Sequence, residues 1–205
     1  MAVAAHTQTL RLITSDGETI ADSSTLQGLW TEEQYLRLTD HSNRLIEFTD
    51  GSIEVLVMPT KRHQAISKFL LFMLNAFVDP RGGTVFYAPL RLRIREGKFR
   101  EPDLMVALDA EDVRLQDAYW LGADMVIEIV SPDDPERDTV VKRADYAEGR
   151  VPEYWIVNPI DETITVLRLE GAQYAEHGMF RRGDMAKSAL LEDFIVEVSK
   201  VFDAR

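Results

Sequence analysis

The segment ADMVIEIV at 123–130 decides how the rest of the chain is arranged. Apolar side chains occupy both alternating sets of positions, which is typical of a central strand buried on both faces of a sheet. Glu128 lies in the middle of this run. A buried carboxylate is costly unless it is paired with a cation or bound to a metal. The pattern therefore predicts that Glu128 is either one half of a buried salt bridge or a metal-binding or catalytic residue.

A second short strand carries the expected partner of this glutamate. The segment 101–108 reads EPDLMVAL, and Asp103 opens its apolar part. If 103–108 and 124–130 are antiparallel neighbours, the start of one strand lies beside the end of the other. Asp103 and Glu128 would then project together, and two close carboxylates repel each other unless a cation lies between them. We therefore expect a metal site at this sheet edge.

The ligand chemistry narrows the choice of metal. Carboxylate oxygens favour Mg²⁺ or Mn²⁺, with water completing an octahedron. The chain has no cysteine and four histidines, so a zinc site is less fitting.

Lys142 is the third candidate. It lies in the segment 131–149, which has the features of a helix that follows the Glu128 strand through a short Ser-Pro connection. Lys142 is four residues after Asp138, so the two residues can form a surface salt bridge on one helix face. The alternative is that the helix folds back and brings the lysine to the acidic pair. There the lysine could orient a metal-bound water as a nucleophile. It could also stabilise the negative charge that develops when such a water attacks a phosphate group.

Three further residues are weaker candidates. Glu47 lies in a strand just before an Asp-Gly turn, and its side chain is either exposed or turned towards the site. His63 and Gln64 open a long helix. A helix N-terminus suits anions, so a phosphate contact is reasonable there, although a lone histidine is more often structural or on the surface.

The charge distribution limits the possible partners. The net charge is −12, with 35 acidic and 23 basic residues, which argues against a protein that coats DNA non-specifically. A local basic track does exist at 91–100, where Arg91, Arg93 and Arg95 would share one face of a strand. We interpret this face either as a solvated side of an amphipathic strand or as a phosphate-contacting surface.

The remaining patterns predict an α/β or α+β domain with a mixed sheet flanked by helices. Thr31 and Gln34 are spaced as a capping box, and Asp50-Gly51 marks a hairpin turn. The predicted elements are a helix from Thr31 to about Asp40, a hairpin around 50–51, a helix at 63–78, strands at 84–87, 89–95, 103–108 and 123–130, a helix at 134–149, strands at 153–158, 163–169 and 173–180, and an apolar segment at 190–202.

Length and composition predict one domain. A chain of 205 residues suffices for one substantial core. We expect an N-terminal extension over 1–25 and a single domain over 26–205. No apolar run approaches the roughly 20 residues that a membrane helix needs, and the N-terminus does not read as a secretion signal. We therefore expect a cytoplasmic protein with no membrane association.

Several of these motifs, taken in order, resemble those of the Uma2 family, also known as DUF820. The resemblance runs from about residue 28 to the C-terminal end. It rests on RLIE…DG at 44–51, HQ at 63–64, EPDL at 101–104, IEIVSP at 127–132, Asp138 with Lys142 and Tyr146, and GRVPEYWIVNP at 149–159.

The resemblance implies a fold and a set of roles. The family looks like a branch of the PD-(D/E)XK nuclease superfamily, which implies a restriction-endonuclease-like core, here with an additional N-terminal hairpin and C-terminal strands. Asp103 would be the aspartate of the Pro-Asp motif, Glu128 the second acidic ligand and Glu47 an acidic residue from an early element. The superfamily usually places a lysine two residues after the glutamate. Val130 stands there in this chain, so the resemblance suggests that Lys142 supplies the lysine function.

Two functions follow as expectations. The first is a Mg²⁺-dependent endonuclease that hydrolyses phosphodiester bonds in nucleic acid, with DNA as the expected substrate and a homodimer as the expected assembly. The second is a catalytically inactive module that binds nucleic acid or protein and retains the nuclease fold. In that case Glu128 and Lys142 would be a structural ion pair.

Overall fold

Fifteen strands and four α-helices form the part of the chain that this computed structural model describes, residues 11–13, 15–17 and 19–205. The strands β1 to β15 are Arg11–Ile13, Thr19–Asp22, Ile46–Thr49, Ser52–Val55, Thr84–Tyr87, Arg91–Arg95, Lys98–Arg100, Leu104–Ala107, Tyr119–Trp120, Met125–Ile129, Glu153–Asn158, Thr163–Glu170, Gln173–Arg181, Met185–Lys187 and Ile195–Glu197. The helices α1 to α4 are Glu32–Asp40, Lys61–Val78, Lys142–Glu148 and Val198–Phe202.

The larger sheet has six strands in the order β13-β12-β11-β10-β8-β5. Strands β10 and β11 are parallel, and the other neighbours are antiparallel. Helices α2 and α4 cover one face, where Ile66 and Val201 join the core that contains Ile127. Helix α3 covers the opposite face, where Tyr146 packs with Val126. All five residues of β10 are buried, so the prediction of a central strand covered on both faces is confirmed.

The smaller sheet has five strands in the order β4-β3-β7-β6-β9, and α1 closes its core. Tyr35 of α1 is fully buried, and its hydroxyl donates to the Ile46 carbonyl at 2.9 Å. The ring of Tyr35 stacks on Phe48 with 5.1 Å between centroids. The predicted capping box of α1 is present, because Thr31 and Gln34 bond reciprocally. This helix therefore has a defined start and a fixed position on the sheet.

The register between β8 and β10 positions the acidic pair. The strands are antiparallel, and Ile127 lies opposite Leu104. One step further along this register, Asp103 faces Glu128. The predicted pairing of the two strands is therefore confirmed, and the two carboxylates lie at the same end of the sheet.

Most other predicted elements are confirmed, and a few were missed. The hairpin at Asp50-Gly51 joins β3 to β4, and the long helix spans Lys61–Val78. Strand β7 was not predicted, because the segment 91–100 was interpreted as one basic track. The structure has a turn at Gly97 within this segment, where φ is 76°. The short strands β9 and β14 were also missed. The terminal apolar segment 190–202 contains β15 and α4.

The N-terminal stretch 1–25 contains the antiparallel pair β1-β2. Residues 1–10, 14 and 18 lie outside the described part of the chain. The boundary between an extension and a domain near residue 25 stays a prediction. Within the described ranges, none of the helices combines the length and the apolar character needed to cross a membrane.

The turn at Gly51 gives a test of this fold. Gly51 has a φ of 84°, and an added Cβ would lie 2.7 Å from the Gly28 carbonyl oxygen. Gly82 has a φ of 85° but open space around it. We expect Gly82→Ala to lose about 1 kcal/mol of unfolding free energy, from backbone strain alone. Gly51→Ala should lose about 2–4 kcal/mol, because the clash adds to the strain. Urea unfolding followed by circular dichroism measures both, and equal losses would contradict the close approach of Gly28.

Candidate active site

A π-helical turn over Arg137–Val141 leads into α3 and shapes the site. The backbone N–H of Lys142 donates to the Arg137 carbonyl, five residues back. Both Asp138 and Lys142 are buried by this arrangement. Single π-helical turns inside α-helices occur often at functional sites. Asp138 and Lys142 therefore form a buried pair. The alternative that their spacing of four residues also allowed, a salt bridge on the surface, is not what the structure has.

The Lys142 ammonium is surrounded by three carboxylates. Its Nζ lies 2.8 Å from Oε1 of Glu128, 3.2 Å from Oδ1 of Asp138 and 3.6 Å from Oε1 of Glu47. Burial alone would lower the pKa of Lys142, but the three negative charges outweigh it and raise the pKa above its usual value. Lys142 is therefore held in its protonated form.

Glu128 is nearly inaccessible to solvent, with its side chain 3% exposed. Tyr146 donates its hydroxyl to Oε1, the same oxygen that contacts Lys142. Burial raises the pKa of Glu128 above the usual carboxyl range, and the charges of Asp103 and Asp138 act in the same direction, while Lys142 opposes them. A further cation near Glu128 would relieve this repulsion.

Asp103 has a different environment. Its Oδ2 accepts the backbone N–H of Ile129 at 2.7 Å and lies 3.0 Å from Nε2 of His63. Burial opposes protonation of His63, but the hydrogen bond and the charge of Asp103 outweigh it and raise the pKa of the imidazole. The other ring nitrogen, Nδ1, is buried without a hydrogen-bond partner in the described residues. His63 thus lies at the site and orients Asp103.

Glu47 belongs to the same network through its cations. Besides Lys142, its carboxylate contacts Arg137 and lies 3.4 Å from Nε of Arg100. Burial would raise the pKa of Glu47, but the three cations outweigh it and lower the pKa to about 2. Glu47 is therefore ionised and shared among cations of the chain. A role for it as a metal ligand stays a prediction.

A cleft of about 290 Å³ opens above these groups, and Asp103, Glu128, Lys142 and His63 are among its lining residues. In the described ranges, no three or more His, Asp or Glu side chains are arranged to hold a metal ion by themselves. Mg²⁺ is commonly held by one or two carboxylates, with water and substrate phosphate as the remaining ligands. The adjoining carboxylates of Asp103 and Glu128 fit that donor set.

The predicted nucleic-acid contacts in strand β6 lie elsewhere. Nitrogen NH2 of Arg91 is 2.8 Å from Asp40, and Arg91 is buried. The other two arginines also form ion pairs within the chain, Arg93 with Glu32 and Arg95 with Asp50 and Glu148. None of the three is among the residues that line the cleft. Their ion pairs within the chain indicate a structural role, and a phosphate contact from them stays a prediction.

Gln64 was paired with His63 as a candidate, but the two differ in position. Gln64 is exposed on α2 and does not line the cleft, whereas His63 does. Asp138, Arg137 and Tyr146 are parts of the network that residue-level reasoning did not assign to the site. Asp138, Lys142 and Tyr146 are spaced four residues apart, which places them on one helix face. This spacing could have indicated that Asp138 and Tyr146 belong to the site.

Residues 32–199 match the sequence model of the Uma2 family, which is described as a "Putative restriction endonuclease". The chain belongs to the Uma2 family. A crystal structure of a "putative nuclease belonging to DUF820" from Anabaena variabilis ATCC 29413 has the same fold, with a TM-score of 0.70 and 20% identity over 85% of this chain and 98% of that one. No curated protein matches the sequence.

The match and the fold confirm the predicted family and the predicted mixed α/β architecture of a nuclease. They do not assign residues, so the roles of the acidic pair and of Lys142 in this Uma2 protein stay predictions.

The buried position of Lys142 leads to a stability prediction. Lys142→Met leaves three buried carboxylates without their shared cation, and we expect a loss of about 3–5 kcal/mol of unfolding free energy at neutral pH. Arg37→Met is the control, because the Arg37–Glu33 pair is exposed. The control should lose about 0.5 kcal/mol or less. Urea unfolding measures both, and a similar small loss for the two variants would contradict the buried network.

Proposed function

We propose that this Uma2 protein is a metal-dependent endonuclease that hydrolyses phosphodiester bonds in nucleic acid, with DNA as the expected polymer. One observation carries the proposal. Asp103 and Glu128 adjoin at the end of two antiparallel strands, at a cleft, with a protonated lysine 2.8 Å from the glutamate. Membership of a family described as a "Putative restriction endonuclease" supports the same chemistry.

Asp103 and Glu128 would hold Mg²⁺ or Mn²⁺. When bound, such a cation polarises the scissile phosphate and lowers the pKa of the attacking water. The described contacts of Glu128 fall on Oε1, so Oε2 is the oxygen that we assign to the metal. The Ile129 N–H and His63 fix the orientation of the Asp103 carboxylate.

We assign two roles to Lys142. It stabilises the negative charge that develops on the phosphate, and it orients the attacking water. A fixed positive group in a site with little water stabilises such charge strongly, because it does not have to reorganise during the reaction. Asp138 and Glu47 hold the ammonium in place, and Tyr146 holds the carboxylate of Glu128. These three are positioning residues.

The inactive binding module is the second candidate. The Glu128–Lys142 pair is present, and Val130 occupies the position where the superfamily usually has a lysine. The pair would stabilise the fold whether or not the site is active, so stability cannot separate the two functions. Metal binding and cleavage can.

We predict that the protein cleaves DNA in Mg²⁺ or Mn²⁺ and that EDTA abolishes the cleavage. Asp103→Asn and Glu128→Gln should each reduce the rate about a hundredfold or more, since each removes a charged metal ligand. Glu176→Gln, on the exposed edge strand β13, is the matched carboxylate control and should retain the full rate. The assay uses plasmid DNA, single strands and RNA. Cleavage that survives EDTA and both site variants would refute the proposal.

Calorimetric titration with Mn²⁺ provides a test that does not depend on cleavage. The parent protein should bind the ion, and Asp103→Asn should lose most of that affinity while keeping its fold. A parent that neither binds Mn²⁺ nor cuts any polymer would establish the inactive module instead.

Assembly and location stay predictions. A homodimer is expected if both strands of a duplex are cut, because each cut needs a site. A cytoplasmic location follows from the sequence expectations alone.

A further inference from the structure

The walls of the cleft above the acidic pair are largely apolar. One wall is the connection 56–60 between β4 and α2, where Val57 and Met58 are 42% and 52% exposed. The turn after β11 contributes Pro159 and Ile160, the latter 53% exposed, and the segment 129–134 completes the lining. A cleft that combines apolar side chains with a few converging polar groups is the usual form of a ligand-binding site.

The cations near the cleft are mostly engaged inside the chain. Arg137 contacts Glu47 and Glu54, and Lys142 contacts three carboxylates. Arg62 is the cationic wall residue that solvent reaches, with its side chain 51% exposed beside Glu162. Duplex DNA binds proteins chiefly through the neutralisation of many phosphates. With a net charge of −12, this surface is poorly suited to an intact duplex.

The reactive groups also lie below the surface. The side chains of Lys142 and Glu128 are 5% and 3% exposed, and that of Asp103 is 16% exposed. A duplex is a wide cylinder whose major groove alone is about 12 Å across. An unpaired strand is flexible and can bend a phosphate into a cleft of about 290 Å³ more easily than a stiff duplex can.

We propose that the substrate strand enters this cleft unpaired, with one unstacked base against Met58 and Ile160 and the adjoining phosphate over Asp103 and Glu128. This inference rests on the proposed nuclease function and names its substrate class. Apolar side chains such as methionine, isoleucine and proline are the ones that proteins use to unstack a base or to hold an extruded one. Arg62 contacts a flanking phosphate. Cutting one unpaired strand needs one site, so this reaction does not require a dimer.

The first test compares cleavage rates on one sequence presented as a single strand, a perfect duplex and a duplex with a central unpaired bubble, in DNA and in RNA. We expect the single strand and the bubble to be cut about tenfold faster or more than the perfect duplex. Cuts in the bubble should fall among its unpaired nucleotides. A perfect duplex cut as fast as the single strand would overturn the inference and leave the nuclease function standing. Failure to cut any polymer in Mg²⁺ or Mn²⁺ would overturn both.

The second test removes the apolar contact without adding charge. Met58→Ser combined with Ile160→Ser should raise KM for the single strand about tenfold, as expected for the loss of about 1.4 kcal/mol of binding. The kcat and the Mn²⁺ affinity should stay close to the parent values. The control is Val113→Ser, an apolar residue that is 89% exposed and lies outside the cleft.

An abasic position at the scissile nucleotide completes this test. On that substrate the double variant and the parent should have the same KM, because there is no base for the wall to contact. Two results would overturn the proposed contact. One is a KM of the double variant on the normal strand that equals the KM of Val113→Ser. The other is a difference in KM between the double variant and the parent that is as large on the abasic strand as on the normal strand.

Discussion

The buried ammonium of Lys142 is the interaction on which the rest of the site depends. It joins Glu128 of the larger sheet, Glu47 of the smaller sheet and Asp138 of the π-helical turn. Isolated buried charges are strongly unfavourable, so Glu128 and Asp138 depend on the shared lysine, whereas Glu47 also contacts Arg137 and Arg100. The relative positions of the two sheets and of α3 are therefore linked to the ionisation of one group. The same link keeps Glu128 close to the cleft without exposing it.

The carboxylates of the site differ in what neutralises them, and this difference separates their roles. Glu47 contacts Lys142, Arg137 and Arg100, and these cations hold its pKa near 2. The geometry around Asp103 is of another kind, because its contacts among the described residues are the backbone N–H of Ile129 and the imidazole of His63. A carboxylate oriented by hydrogen bonds rather than saturated by lysine and arginine retains its attraction for a metal ion. In the proposed metal site, Asp103 would therefore be the most available ligand and Glu47 the least.

The sequence was sufficient to predict the acidic pair, because Glu128 lies in a strand and Asp103 directly precedes one, and the burial of both strands follows from local pattern. Glu128 interrupts a run that is apolar on both faces, and the antiparallel register then places Asp103 beside it. Lys142 was harder, since a spacing of four residues from Asp138 is the same on an exposed helix and a buried one. The role of the β6 arginines was left open for a related reason. Alternation shows that Arg91, Arg93 and Arg95 share a face, but their acidic partners come from distant segments such as α1 and α3.

The shortage of free cations at the cleft has its physical origin in the buried carboxylates. Glu128, Asp138 and Glu47 can be held in the interior only beside positive charge. That charge is supplied by Lys142, Arg137 and Arg100. Cations engaged in this way are not available to bind phosphates along a duplex, so affinity has to come from other contacts. Contacts with the faces of bases do not depend on charge, but they require that the bases be unstacked. The electrostatics that stabilise the site are therefore one reason why we propose a strand that is already unpaired as the substrate.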